Sequence, residues 1–207
     1  MIDPVEIRLA TPADVARIFE AFYAVPRPFL YTRSVADLDR IRERGQLVCT
    51  VETRGAGRVL TSSYIQPAAA DDCDGLAQLG GGIVHERLRR TGIMRLIGAL
   101  SLAHWLRFHP GTTIESRVVA ANREPIRPLL ESLGFVCQPE LLMEDPAEHA
   151  EGMRHWPRDE QGRIPVERWH STVQTADRAV ELIRAFPGYV GRADDRVACS
   201  IARALEL

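Results

Sequence analysis

Residues 79–106 read LGGGIVHERLRRTGIMRLIGALSLAHWL. The stretch opens as an apolar, glycine-dense strand and passes through an arginine-rich turn at 87–91. From Gly92 it continues as a long apolar helix. The first turn of a helix carries N–H groups with no partner inside the helix, and the helix dipole adds partial positive charge at the same end. Gly92 removes the Cβ that would keep an anion from the backbone. Arg87, Arg89 and Arg90 add formal charge beside it. Strand, donor-rich turn and helix start together form a seat for a phosphate group.

The rest of the chain builds outward from this stretch. Residues 5–10 alternate Ile7 and Leu9 with Glu6 and Arg8, as in a short strand. Thr11-Pro12-Ala13-Asp14 opens a helix with a cap, a proline at the first position and an acid in the first turn. Pro26 and Pro28 break it, and a second helix spans about 34–44, closed by Gly45. Residues 46–53 and 59–65 read as two strands joined by the glycine turn RGAGR, and 76–84 as the strand that leads into the phosphate seat. After the long helix, 112–119 is a strand that puts Ile114, Ser116 and Val118 on one face and Glu115, Arg117 and Val119 on the other. A helix ending at Leu133-Gly134 and a strand over 135–142 follow. Beyond Met143 the chain turns polar and reads as a long loop, then an amphipathic helix over 175–186. Residues 197–205 fit either a strand or a helix.

Composition narrows the classes. At 207 residues the chain can bury a sizeable core as one domain. It is 45% hydrophobic and 26% charged, ordinary for a globular protein. A net charge of −2 gives no field to draw it to nucleic acid or to an anionic membrane. All the basic residues are arginine, the mark of a GC-rich coding sequence. Cys49, Cys73, Cys137 and Cys199 are scattered without metal-ligand spacing, and are expected to be reduced thiols in a cytoplasmic protein. Neither a signal core nor an apolar run of membrane-spanning length is expected.

The order of elements and two motifs resemble the GNAT superfamily of acyl-CoA-dependent N-acetyltransferases, over about residues 5–142. The family signature Arg/Gln-x-x-Gly-x-Gly/Ala reads Arg89-Arg90-Thr91-Gly92-Ile93-Met94, with Met94 where Gly or Ala is usual. The second motif, an asparagine followed by a helix ending in Gly-Phe, reads Asn122 to Gly134-Phe135. The resemblance implies an α/β (α+β) GNAT fold: a central mixed, mostly antiparallel sheet of six to seven strands flanked by helices. Residues 1–142 would form the acyltransferase core and 143–207 an extension packed on the same domain. It also implies acetyl-CoA as cofactor. The pyrophosphate would lie on the amides of Arg90, Thr91, Gly92, Ile93 and Met94, with charge from Arg87 or Arg89. The pantetheine arm would run along Ile83, Val84 and His85, and Asn122 would make a polar contact to it.

The chemistry the family performs requires loss of a proton from the amine, polarisation of the thioester carbonyl and protonation of the leaving thiolate. A backbone N–H near Val84 suits the second task. Where relatives place a glutamate base this chain has Gln78, and where they place a tyrosine acid it has Leu130. The remaining candidates are Glu115, His85 and Ser116, with Glu86 and Tyr64 behind them. Each has a structural alternative: Glu115 paired with Arg117, His85 a surface group, Ser116 and Tyr64 packed in the core. His149, His155, Trp156, Trp169 and His170 fall in the C-terminal part, where lid, wall of an acceptor pocket and dimer contact are all open roles; the spacing of His149 and His155 matches no metal pattern, and no metal is expected. The expected acceptor is a small-molecule amine, without nucleic acid or membrane, with a homodimer left open. The alternative is a catalytically weak acyl-CoA-binding sensor or interaction module on the same fold, or a scaffold whose cleft has lost the cofactor.

Overall fold

A computed structural model describes residues 3–25, 27, 29–68, 75–144, 156–192 and 195–206. The chain runs β1 (Val5–Leu9), α1 (Pro12–Ile18), a π turn (Phe19–Tyr23), α2 (Val35–Glu43), β2 (Leu47–Glu52), β3 (Val59–Pro67) and β4 (Leu76–Val84). A 3₁₀ turn (Glu86–Leu88) leads to α3 (Ile93–Phe108), β5 (Thr113–Val119), a second 3₁₀ turn (Ala120–Asn122) and α4 (Arg123–Ser132). The C-terminal part holds β6 (Phe135–Cys137), β7 (Leu142–Glu144), β8 (Ile164–Ser171), α5 (Val173–Arg184), β9 (Tyr189–Val190) and β10 (Val197–Ile201).

These strands form one sheet in the order β6-β8-β5-β4-β3-β2-β1-β10-β9, with β7 also paired to β8. Among the described residues, only the β4–β5 and β1–β10 pairings are parallel. The mixed, mostly antiparallel sheet is the one expected, but among the described residues it has ten strands where six to seven were expected. The additions come from the C-terminal part. β6 and β7 are two short pieces laid along β8, β8 itself sits between β5 and β6, and β9–β10 extends the edge beyond β1. The ambiguous segment at 197–205 is thus a strand followed by a 3₁₀ turn (Arg203–Leu205).

Side-chain alternation assigns the two faces. Leu47, Cys49, Val51 and Tyr64 pack with Val15, Ile18, Phe22 and Leu38, so α1 and α2 cover one face. Val5, Ile7, Val48 and Leu60 pack with Ile93, Leu96, Ile97 and Leu100, so α3 covers the other. α4 and α5 lie on the α3 side, where Leu130, Leu133 and Ala179 join Ile114, Val118 and Trp169. α3 is apolar around most of its circumference because α5 and α4 flank it. Ser34 caps α2 by accepting from the Asp37 N–H at 3.1 Å, and Thr172 starts α5 two residues before the sequence pattern indicated. Among the described residues, no helix is long and apolar enough to cross a membrane.

Candidate functional site

The site begins where the sheet fails to stay closed. β4 and β5 pair at only three positions, Leu76↔Thr113, Ala77↔Ile114 and Gln78↔Glu115. β4 continues to Val84 and β5 to Val119, so beyond Gln78 the two strands are separate. The cause is in the glycine run. Gly81 has φ +61, and the β3–β4 register slips between Ser62 and Tyr64. This is a bulge, which bends its strand and aims it away from a neighbour. The Ser62 hydroxyl donates to the Gly81 carbonyl at 3.1 Å and pins it. A cavity of about 460 Å³ occupies the gap. Met94, Asn122 and Leu130 wall it on the α3–α4 side, and Tyr31, Arg33 and Tyr64 on the α1–α2 side.

Beyond β4 the chain makes the arginine turn. Leu88 is fully buried in the α3 core and anchors the turn from beneath, while Arg87, Arg89 and Arg90 stay exposed. Arg90 (φ +62) and Gly92 (φ +86) are both left-handed, on either side of Thr91. The Thr91 hydroxyl donates to the Leu88 carbonyl at 2.7 Å, and the Thr91 carbonyl accepts from the Gly191 N–H at 3.0 Å. A turn held this way leaves the first amides of α3 without a partner inside the helix, and the Ile93 N–H donates to the Thr91 hydroxyl at 3.4 Å. A Cβ built on Gly92 meets nothing within 4 Å, so the space before the turn is open. Arginine charge, the amides of a helix start and open space fit a pyrophosphate.

On the α1–α2 face Arg33, Tyr64, Tyr23 and Glu115 carry charge or protons. The Tyr64 hydroxyl accepts from Arg33 Nε at 3.0 Å, and the guanidinium carbon lies 5.4 Å from the Tyr64 ring centre. Tyr23 lies beneath; burial, with Tyr64 next, pushes its phenol well above the ordinary tyrosine value. Glu115, 2% exposed, accepts from Arg117 Nε at 2.7 Å and contacts His170 Nε2 at 3.0 Å. Burial raises the Glu115 pKa, but hydrogen bonds from Arg117 and His170 and their charges outweigh it, so the carboxyl sits below its usual range.

The candidates from the sequence therefore fall in different places. Ser116 and Asn122 line the cavity, with Ser116 on the α4 face between Ile114 and Val118. Glu115 lies behind Arg117, which lines the cavity while Glu115 does not. Ile83 and Val84 pair with Ser62 and Thr61 of β3 and have no β5 partner, as a strand-like ligand would require. His85 uses its N–H on the Leu60 carbonyl at 2.7 Å, and its Nδ1 accepts from the Arg87 N–H at 3.3 Å. Burial first, then Arg58 and Arg87, hold its pKa below the ordinary histidine value. Gln78 and Leu130 both line the cavity, and Met94 turns its methyl toward Gly82. Trp169 packs under α4 and Trp156 against Val119 and Val166; His149 and His155 lie outside the described residues. Sequence reasoning missed Arg33. The available signal was an arginine beside Phe29 and Tyr31 in the segment between two helices. Among the described residues, none of the groups lining the cavity is a carboxylate or an imidazole.

No family model matches the sequence, and no curated protein does. Solved structures do. A ribosomal-protein-alanine N-acetyltransferase from Brucella melitensis is 18% identical with a TM-score of 0.57, covering 81% of this chain and 99% of that one. An N-acetyltransferase from Staphylococcus aureus is 15% identical with a TM-score of 0.57, covering 81% and 98%. A Mycobacterium tuberculosis protein solved with CoA is 13% identical with a TM-score of 0.56, covering 81% and 98%. At these identities the likeness shows the fold, and the chain has the fold of the GNAT acetyltransferases.

Proposed function

We propose that the protein transfers an acetyl group from acetyl-CoA to the amine of a small molecule. The observation that carries this reading is the split between β4 and β5, which opens through the sheet and lies beside a left-handed, arginine-flanked helix start. The fold neighbours support it, one of them solved with CoA. Bound acetyl-CoA would supply a thioester: the amine nitrogen forms a bond to the acetyl carbon, the carbon–sulfur bond breaks, sulfur leaves with the electron pair and takes up a proton, and the nitrogen loses one.

The chain's own residues divide the remaining work. The amides of Gly92, Ile93 and Met94, with Arg89 and Arg90, would hold the pyrophosphate. The free edge of β4 at Ile83 and Val84 would pair with the arm, and Asn122 would meet it from the cavity wall. Leu130 and Met94 keep water from that side. With no carboxylate or imidazole on the walls among the described residues, positioning carries most of the rate and the amine arrives neutral. That same absence favours a second reading, a module that binds acyl-CoA and transfers slowly or not at all.

The test is thermal unfolding with and without acetyl-CoA, for the wild type, Gly92→Glu and Arg89→Glu. A ligand at about a hundred times its Kd adds roughly 2.7 kcal/mol. A shift in the wild type that both variants lose supports the cofactor site; no shift in the wild type overturns both readings. Turnover across a panel of amines then separates the enzyme from the binding module.

A further inference from the structure

We propose that the acceptor carries a carboxylate as well as its amine, and that Arg33 holds that carboxylate. The inference rests on the acyltransferase reading and names its substrate class. Arg33 is half-buried, lines the cavity, and stands on the α1–α2 face, across the sheet from the helix start that would hold the cofactor. An amine entering from this side meets Arg33 before it reaches the split.

The guanidinium is fixed in place, and no carboxylate among the described residues pairs with its charge. Nε donates to the Tyr64 hydroxyl at 3.0 Å and the group lies over the Tyr64 ring, which sets its plane. No carboxylate among the described residues comes within ion-pair distance of it. Asp37, the acid whose charge reaches it, is taken up by the Ser34 N–H and hydroxyl and by Arg40. With Nε used, the two terminal nitrogens remain as a planar fork, the geometry that a carboxylate matches with two parallel hydrogen bonds.

The rest of the wall agrees. Arg117 also lines the cavity, with Glu115 against it, and no acid lines the cavity among the described residues. A purely cationic acceptor would meet arginine and, among the described residues, no opposing charge on the cavity wall. An amine that brings its own carboxylate offsets Arg33 and places its nitrogen deeper, toward the gap between Gly82 and Ser116.

The experiment uses the full chain and a panel of the common amino acids, each against its decarboxylated counterpart. Binding is read by calorimetry with CoA present, and turnover by kcat/KM with acetyl-CoA. Arg33→Gln and Arg33→Lys follow, with circular dichroism to confirm that each folds. The wild type is expected to bind at least one amino acid and to favour it over its decarboxylated counterpart by roughly tenfold to a hundredfold. Arg33→Gln should erase that ratio, and Arg33→Lys should recover only part of it, as a point charge lacks the fork. Equal handling of both partners, binding of none of the amino acids, or a ratio unchanged in Arg33→Gln overturns the inference. The acetyl-CoA shift, measured on the same preparation, reports separately on the acyltransferase reading. A normal shift with no carboxylate preference sinks the inference alone.

Discussion

A side chain at Gly81 would collide with the ring of Tyr64: a Cβ there would overlap Cε1 and lie 2.6 Å from Cδ1. The bulge that opens the sheet and the tyrosine that holds Arg33 are therefore one packing unit. Gly81→Ala meets two costs. Its φ of +61 disfavours any L side chain by about 1–2 kcal/mol, and the clash adds about 1–3 kcal/mol. The expected loss of about 2–5 kcal/mol is read from urea denaturation midpoints at unchanged slope. A loss under about 0.5 kcal/mol would mean that Tyr64 swings away freely and does not set the bulge.

The bare walls of the cavity fix how turnover responds to pH. With no lining carboxylate or imidazole among the described residues, the proton must leave the amine before the amine binds productively. kcat/KM should rise with pH until the acceptor itself is deprotonated, and its apparent pKa should move with the acceptor chosen. Two acceptors whose amine pKa values differ by about two units make the measurement. A common plateau reached near the ordinary histidine value of about 6.5, whichever acceptor is used, would reveal a protein base and defeat this account.

Glu115 is held ionised by Arg117 and His170, and the direction of its shift gives the sign of its effect. A carboxyl whose folded pKa is depressed contributes stability above its unfolded pKa, about 4.3, and loses that contribution as pH falls through the folded value. Glu115→Gln removes a buried charged acceptor and should cost about 1–3 kcal/mol at pH 7. The gap between wild type and variant should then narrow as pH falls below about 4. Melting temperatures of both proteins from pH 7 to pH 3 test this. A gap that stays constant across that range would mean that packing, not charge, accounts for the loss.

Local signals made one half of this molecule readable. The run Gly80-Gly81-Gly82, the arginine turn and the apolar helix lie within one stretch, so their pattern survives in sequence. β8 did not survive. It reads IPVERWHS, a strand covered on both faces, so apolar residues fall on either side: Val166 toward Trp156, Trp169 toward Phe135. Its buried acid Glu167 accepts from Trp169 Nε1 at 3.1 Å and lies 3.6 Å from Arg123, a residue of α4. A charge satisfied by a distant element looks like surface when only its neighbours in sequence are visible. Arg33 was hidden for the same reason, since its meaning depends on Tyr64, thirty-one positions along the chain.

Met94 is the departure from the family signature, and its position predicts a trade. Its methyl carbon lies 3.4 Å from where a Cβ on Gly82 would stand, and the side chain packs at the edge of the α3 core. It narrows the passage between the helix start and the free edge of β4, where the proposed cofactor would lie. Met94→Ala removes half-buried apolar surface and should lower stability by about 1–2 kcal/mol, below the range for a fully buried methionine. It should also let CoA approach the Gly92–Met94 amides more closely and bind more tightly. Calorimetric titration with CoA beside a denaturation curve reads both quantities. Weaker binding by the variant would show instead that the thioether is part of the wall that holds the cofactor.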